Sequence, residues 1–200
     1  MADHEVETML RNEAAAMLTA VESRENPSRY RFFLSEFPRK DILGMSVGSG
    51  RIYISYKLTS LAMADPDYLW LLRQTLAHEI AHESAGHANQ KNPVWFNQVS
   101  AAGPSARDIG LPWYVRLVNY SMEKELDADR IGLGYWSKLG WNCRIWVRIL
   151  EDLEKRNYRG DDFHPTDRRL QEAKSVCAAD GRARTVAAPI DSVSLPSSPD

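Results

Sequence analysis

The chain has 200 residues, 44% of them hydrophobic, and a formal net charge of −2 at neutral pH. These values predict one globular domain with a sizeable core. The small net charge and the scattered basic residues argue against a positively charged surface that binds nucleic acid. The longest apolar run, Tyr68 to Leu72, is far shorter than the ~18 residues that a membrane span needs, so no transmembrane segment is predicted.

The amino-terminal region is predicted to form one helix followed by two short strands. Apolar residues recur at helical spacing over Val6–Glu22, and the stretch from Asn26 to Ser28 ends that pattern. Short apolar runs at Tyr30–Leu34 and Ile42–Val47 are the strand candidates. The region is charged rather than signal-like, so we expect a soluble, cytoplasmic protein.

A third strand is predicted after the turn at Gly48 to Gly50. Alternation of side-chain character through Arg51–Tyr56 indicates a half-buried strand. We expect this strand to form an edge of the sheet beside the functional site, where a peptide could add to it by main-chain hydrogen bonds. Its predicted substrate-binding residues are Arg51, Ile52, Tyr53, Ile54 and Ser55.

A buried helix is predicted over Pro66–Gly86. Asp65 supplies an N-cap residue, and Pro66 suits the first helical position. The helix is apolar nearly all round, as expected inside a domain, yet it contains two histidines and a glutamate at its centre. Buried polar groups need partners, and a metal ion is the simplest partner for this set.

His78, Glu79 and His82 form the pattern H-E-x-x-H, which on a helix places both imidazoles on one face. They lie ~40° apart around the axis and ~6 Å apart along it, which allows both to bind one Zn²⁺. Glu79 lies beside them and could accept a proton from a water activated by that ion. The pattern is typical of zinc hydrolases, most often peptidases, although it also occurs by chance.

His87 is the nearest further histidine, but helical geometry argues against it as the third ligand. On a continued helix it lies ~180° from His78, on the apolar side, so a core or structural histidine is predicted. A metzincin would need glycine at position 85 and histidine at position 88, and both positions hold alanine.

The third ligand is expected in the next helix, predicted over Pro112–Trp136. Helical phase places Glu123 on a charged face, and Glu125 with Asp129 on a small or apolar face that is predicted to be buried. We therefore predict Glu125 as the third metal ligand and Asp129 as the acceptor that orients a ligand histidine. A buried carboxylate pair that serves a structural arginine is the alternative. The charged face also holds Arg116, Asn119, Asp127 and Arg130, and the other face Val118, Ser121, Ala128, Gly132 and Trp136.

The remaining segments complete a single domain over residues 1–180. Asn89–Leu111 is loop by composition and long enough to be a functional flap. Helices are predicted over Trp141–Arg156 and Thr166–Ala179, and the composition from Gly181 onward predicts a disordered tail.

The chain has two cysteines, Cys143 and Cys177. They lack C-x-x-C spacing, so neither a disulfide framework nor a thiolate metal site is indicated. Reduced, buried cysteines are predicted.

Three motifs in order resemble those of the gluzincin metallopeptidases of the HtpX and CAAX prenyl protease family. They are H-E-I-A-H with a histidine five positions later, E-L-D-A-D-R-I-G, and H-P-T-D-R-R-L. The resemblance covers roughly residues 42–175, including the segment that leads into the histidine helix. Without a predicted membrane span, the chain is similar to the small soluble members called minigluzincins.

The resemblance implies a mainly helical α+β, zincin-like domain with a small sheet, an edge strand beside the H-E-x-x-H helix, and one Zn²⁺ per chain. Its matching residues are His78, His82 and Glu125 as zinc ligands, Glu79 as general base and Asp129 as supporting aspartate. It also implies that His164 can approach the metal in a resting state or assist the tetrahedral intermediate. The family's arginine after the H-P motif is Arg168 or Arg169.

We therefore expect a zinc endopeptidase that acts on peptides or unfolded proteins. The alternative is a zinc-bearing interaction or chaperone-like domain with a closed, inactive site, and the intact Glu79 argues against it because a structural site has no use for a base. A metallo-aminopeptidase would need a motif that anchors the substrate amine, and the sequence shows none. The oligomeric state is not indicated.

Overall fold

The computed structural model describes residues 2–21, 27–37, 42–89, 120–155 and 166–181. These ranges contain a small sheet and six α-helices, which confirms a mainly helical α+β architecture. The strands are β1 (Arg31–Ser35), β2 (Gly44–Ser46) and β3 (Arg51–Ser55). The helices are α1 (Ala2–Leu18), α2 (Tyr56–Ala62), α3 (Pro66–Ser84), α4 (Met122–Lys138), α5 (Cys143–Lys155) and α6 (Thr166–Gly181). The single domain over residues 1–180 stays a prediction, and residues 182–200 lie outside the described ranges.

Strand β3 lies at the centre of the sheet, whose order is β1-β3-β2. Tyr53 has a partner on each side, Phe33 in the parallel strand β1 and Met45 in the antiparallel strand β2. The prediction of β3 as an edge strand is therefore wrong, because both neighbours use its main-chain hydrogen-bonding groups. The predicted substrate strand, formed by Arg51, Ile52, Tyr53, Ile54 and Ser55, offers no open edge to a peptide.

Burial of β3 also differs from the half-buried pattern expected. Ile52, Tyr53 and Ile54 are all at most 2% exposed, because a central strand is covered on both faces. The Tyr53 ring stacks on Phe33, with ring centroids 5.1 Å apart. The strand ends at Ser55, whose hydroxyl accepts a hydrogen bond from the main-chain N–H of Leu58 and so caps α2.

The turn between β2 and β3 requires glycine at position 50. Gly50 has φ 77°, and a Cβ there would lie 1.9 Å from the carbonyl oxygen of Arg29. The main-chain N–H of Arg31 donates to the Gly50 carbonyl at 2.7 Å, which places the start of β1 against the turn. The close approach holds the three strands together at the end of the sheet where the turn lies.

Helix α1 presents the apolar face that its sequence predicts. Val6, Leu10, Ala14 and Met17 are buried against the core at intervals of three or four residues. The helix spans Ala2–Leu18 rather than the predicted Val6–Glu22, so the apolar pattern continues past the last helical turn.

Helix α3 begins as predicted and forms the centre of the molecule. The Asp65 side chain accepts a hydrogen bond from the N–H of Asp67 at 2.8 Å, and Pro66 occupies the first turn. The helix ends at Ser84, two residues before the predicted end, and Gly86 has φ 68°. Its second half is buried on all sides, by α4, α2 and the sheet.

Helix α4 crosses α3 closely because it carries a glycine at the contact. A Cβ on Gly132 would lie 3.3 Å from the main chain of Ala77 and 2.9 Å from the ring of Trp146. The helix begins at Met122, with Ser121 in extended conformation before it. The prediction that the helix runs unbroken from its proline start is wrong, because Ser121 and Tyr120 are not helical. Residues 112–119 lie outside the described ranges.

Helices α5 and α6 are joined by a disulfide between Cys143 and Cys177, whose Cα atoms lie 5.7 Å apart. The prediction of reduced cysteines is wrong, because the packing of the two helices brings together residues that are 34 positions apart. Both helices lie close to their predicted positions. Among the described residues, no helix has the length and apolar character needed to cross a bilayer.

Candidate metal centre

Three side chains from two helices converge between α3 and α4. The Nε2 atoms of His78 and His82 lie 3.0 Å apart. The Oε2 atom of Glu125 lies 3.0 Å from the first and 3.4 Å from the second. All three residues are buried, and they form a group that could hold a metal ion. The structure thus brings together the three residues that the sequence predicts as ligands.

The position of Glu125 follows from the phase of α4. Glu125 and Asp129 are both 0% exposed, whereas Glu123, two residues earlier, is exposed to solvent. This division confirms the predicted choice of the buried face. Ser121 does not share that face, because it precedes the helix and is exposed.

The three ligand atoms are spaced as a four-coordinate ion requires. Bonds of ~2.0–2.1 Å to a tetrahedral centre place ligand atoms ~3.3 Å apart. The observed separations of 3.0, 3.0 and 3.4 Å lie close to that value. Two imidazoles and one carboxylate also form a donor set typical of a divalent ion such as Zn²⁺. The residues present therefore fit a metal ion.

A buried ion pair fixes the orientation of His78. Its Nδ1 atom lies 2.9 Å from Oδ1 of Asp129 and donates to it, which leaves Nε2 facing Glu125. Arg169 of α6 donates to both oxygens of Asp129, at 2.6 and 2.8 Å. Arg168 instead points to the sulfur of Met122 on the surface, so the structure decides between the two arginines that the sequence leaves open. An arginine partner, the alternative considered for the carboxylate pair, is thus present at Asp129.

These contacts set the protonation of the site. Burial alone would raise the pKa of Asp129, but the Arg169 guanidinium and His78 hold it well below its usual range. Burial opposes charge on His78, yet its hydrogen bonds to Asp129 and Glu125 raise its pKa to about 10. Burial lowers the pKa of His82 to about 4, with the neighbouring His78 acting in the same direction. Without metal, His78 is thus protonated and His82 neutral at neutral pH.

Glu79 lies on the β2 side of the same helix. Its Oε2 atom accepts a hydrogen bond from the main-chain N–H of Ser46 at 2.7 Å. Gly44 makes this contact possible, because a Cβ there would lie 2.8 Å from Cγ of Glu79. Glu79 is therefore a buried carboxylate held beside, and not within, the triangle of ligand atoms.

A second buried acid, Glu83, was not singled out from the sequence. It lies one turn after Glu79 and accepts hydrogen bonds from the N–H of Gly50 and the hydroxyl of Ser46, at 2.6 and 2.9 Å. The sequence feature that could have identified Glu83 is a further carboxylate in an otherwise apolar helix. Glu83 fixes the turn between β2 and β3 on α3, and through it the strand that contacts Glu79.

Tyr120 was also missed by sequence reasoning. Its ring stacks on His82, with centroids 4.0 Å apart and planes 17° apart, and its hydroxyl donates to the Ser46 carbonyl at 2.7 Å. Burial raises the pKa of this phenol, which stays protonated. No local pattern marks this residue, because it precedes α4 and reaches the site only through the tertiary fold.

His87 is buried next to a predicted ligand rather than on the far side of the helix. Its Nδ1 atom lies 3.0 Å from Nδ1 of His82, and its Nε2 atom lies 3.3 Å from Oδ2 of Asp127. Burial lowers the pKa of His87 despite the nearby carboxylate. The sequence predicted His87 on the apolar side of a helix that continued past residue 87. Because α3 ends at Ser84, His87 lies beside His82 instead.

His164 and residues 90–111 of the predicted Asn89–Leu111 loop lie outside the described residues, so their roles stay predictions, and Asn89 itself belongs to a short 3-10 helix over His87–Asn89. The main-chain N–H that donates to Glu79 belongs to Ser46 in β2.

Neither the scan against protein-family models nor the search of curated proteins finds a match for this chain.

Proposed function

We propose that this protein is a zinc-dependent endopeptidase related to the gluzincins. The observation that carries the proposal is the convergence of His78, His82 and Glu125 with a second buried carboxylate, Glu79, beside them. A purely structural site would need the ligands but no further acid at that position. The order of sequence motifs that resembles the HtpX and CAAX prenyl protease family supports the same proposal.

The chemistry divides between the ion and the protein. When bound, zinc supplies Lewis-acid polarisation and an activated water. Glu79 accepts a proton from the attacking water and returns it to the leaving amine, as a general base and then a general acid. Asp129 and Arg169 hold His78 with its Nε2 lone pair toward the ligand triangle, so that the site is preorganised. His164 is proposed, by resemblance alone, to assist the tetrahedral intermediate.

We place the substrate along β2, which lies beside Glu79 and is an edge strand of the sheet within the described ranges. In the antiparallel pair, Met45 faces Tyr53 across the ladder, and the main-chain groups of Ser46 point away from β3. They bind Glu79 and Tyr120 instead. An extended peptide could replace these two contacts by main-chain hydrogen bonds, which favours peptides and unfolded proteins as substrates.

The test is Glu79→Gln in the zinc-loaded protein. Glutamine keeps the size of the side chain but cannot accept the proton, so casein hydrolysis should fall by at least ~10²-fold, the lower range for loss of a general base. Zinc content, measured by elemental analysis after dialysis, should stay at one per chain.

Glu123→Gln is the matched control, because Glu123 lies on the exposed face of α4. It should keep both zinc and activity. Full turnover by zinc-loaded Glu79→Gln would contradict the mechanism. Zinc binding by the unchanged protein without any peptide hydrolysis would favour the alternative of an interaction domain.

A further inference from the structure

The ring of His82 has contacts at both of its nitrogens. Its Nε2 atom faces His78 and Glu125 in the ligand triangle. Its Nδ1 atom lies 3.0 Å from Nδ1 of His87, and the two rings are 5.0 Å apart and nearly perpendicular. An edge-on approach of this kind directs one ring nitrogen at the other, as a hydrogen bond requires.

Only one arrangement of protons satisfies both contacts. A neutral imidazole that uses Nε2 as a metal ligand carries its proton on Nδ1. Nδ1 of His82 must then donate, and Nδ1 of His87 must accept. The proton of His87 consequently lies on Nε2, which points toward Oδ2 of Asp127 at 3.3 Å.

The chain is shaped to place His87 there. Helix α3 ends at Ser84, and the positive φ of Gly86 turns the chain so that His87 folds back beside His82. The ammonium of Lys124 donates to the carbonyl oxygen of His87 at 3.0 Å and fixes its main chain to α4. His87 is buried, so its lone pair has little access to water.

We propose that His87 is a positioning residue for the metal ligand His82. It accepts the Nδ1 proton of His82 and so holds Nε2 of that ring deprotonated and aimed at the ion. The inference rests on the proposed metal site. Asp129 is the hydrogen-bond acceptor for His78, and His87 is proposed to be the corresponding acceptor for His82. His87 acts through His82 and is not one of the three ligands.

The two partners differ in a way that affects the metal. Asp129 is a charged acceptor and increases the basicity of His78, whereas His87 is an uncharged acceptor on His82. His82 is therefore the weaker base of the pair. Its orientation depends on the hydrogen bond from its own ring to His87 and on the stacked ring of Tyr120.

The test compares two substitutions at position 87. Asparagine can place its Oδ1 atom near the position of the histidine Nδ1 and keep the acceptor, whereas leucine removes it. His87→Leu should weaken zinc affinity by ~10- to 100-fold, the usual effect of losing such a partner. His87→Asn should stay within about threefold of the unchanged protein, because the acceptor that holds His82 is retained. Affinity is measured by competition with a chromogenic chelator, and the thermal midpoint of the metal-free proteins serves as the structural readout.

Several outcomes would overturn the inference. Equal zinc affinity in the unchanged protein and His87→Leu would show that His82 needs no partner. Equal losses in the leucine and asparagine variants would show that the ring is needed for packing and not for its acceptor. An unchanged protein that binds no zinc would overturn the inference and the proposed function together. Zinc binding that depends on His87 in a protein without peptidase activity would support the inference while the proposed function fails.

A measurement on the unchanged protein covers the case in which His87→Leu does not fold. Long-range ¹H–¹⁵N spectra of the zinc-loaded protein report which ring nitrogen of each histidine carries the proton. We expect the proton of His82 on Nδ1 and that of His87 on Nε2. A proton on Nδ1 of His87 would overturn the inference.

Discussion

The guanidinium of Arg169 binds both carboxylate oxygens of Asp129, and Asp129 in turn accepts the Nδ1 proton of His78. One buried carboxylate thus links helix α6 to the histidine helix. Removing the arginine would leave the buried Asp129 with His78 as its remaining charge partner and without the two hydrogen bonds from the guanidinium. We expect Arg169→Leu to lower the free energy of unfolding by about 3 kcal/mol, the low end for a broken buried pair, because Arg169 is partly exposed.

Arg168→Leu is the control for this substitution, since Arg168 is exposed and its guanidinium donates to the sulfur of Met122. Its effect should stay within ~0.5 kcal/mol. Urea denaturation of the two metal-free variants measures the difference. Equal effects would contradict the assignment of Arg169.

The choice of Glu125 over Glu123 gives a second prediction. Glu125→Gln should lose zinc during dialysis, because a neutral amide is a poor ligand and leaves positive charge uncompensated in a buried site. Glu123→Gln should keep zinc and activity, with a stability change within ~0.5 kcal/mol. Asp129→Ala should lower metal affinity by ~10- to 100-fold. Zinc stoichiometry and casein hydrolysis distinguish the three, and loss of metal in Glu123→Gln alone would reverse the assignment.

Zinc binding should release one proton per ion near pH 6. Without metal, His78 has a pKa of about 10 and is protonated at that pH, whereas His82 has a pKa of about 4 and is neutral. A metal ion that binds Nε2 of His78 displaces the proton there. Zinc affinity should therefore fall about tenfold for each pH unit as the pH is lowered from about 10 to about 4. Calorimetry in two buffers of different ionisation enthalpy counts the protons. Release of two protons would show that both histidines are charged.

Substitution of alanine for glycine should have opposite effects on stability at two positions of α4, Gly132 and Gly134. Gly132→Ala should destabilise the protein by about 1–3 kcal/mol, because its Cβ would meet the Ala77 main chain and the Trp146 ring. Gly134→Ala should stabilise it by about 0.5–1 kcal/mol, because nothing lies within 4 Å and alanine is the better helix former. Chemical denaturation measures both. A stable Gly132→Ala variant would show that α3 and α4 can separate slightly without loss.

Features that depend on the periodicity of a single helix could be predicted accurately from the sequence. The N-cap at Asp65 and the buried phase of Glu125 follow from helix geometry, and the structure agrees with both. The His78 and His82 pair follows from the same geometry.

Features that depend on distant segments could not be predicted in this way. The central place of β3 depends on its parallel pairing with β1, a strand about 20 residues earlier, which no alternation pattern in β3 reveals. The contact of His87 with His82 depends on a helix that ends two residues earlier than its composition indicates. Tyr120 and the choice of Arg169 depend on how α4 and α6 pack, which local sequence does not encode.

The disulfide between α5 and α6 would keep the protein in one piece if a protease cut the chain between these helices. Cys143 precedes residues 156–165 and Cys177 follows them, so the covalent loop encloses that whole segment. A protease that nicks the chain there leaves two fragments that stay attached to each other. Arg169 is carried on the second fragment, and it would remain opposite Asp129 until a reductant separates the two sulfurs. A nicked protein should therefore bind zinc normally, and should lose affinity only after both the cut and the reduction.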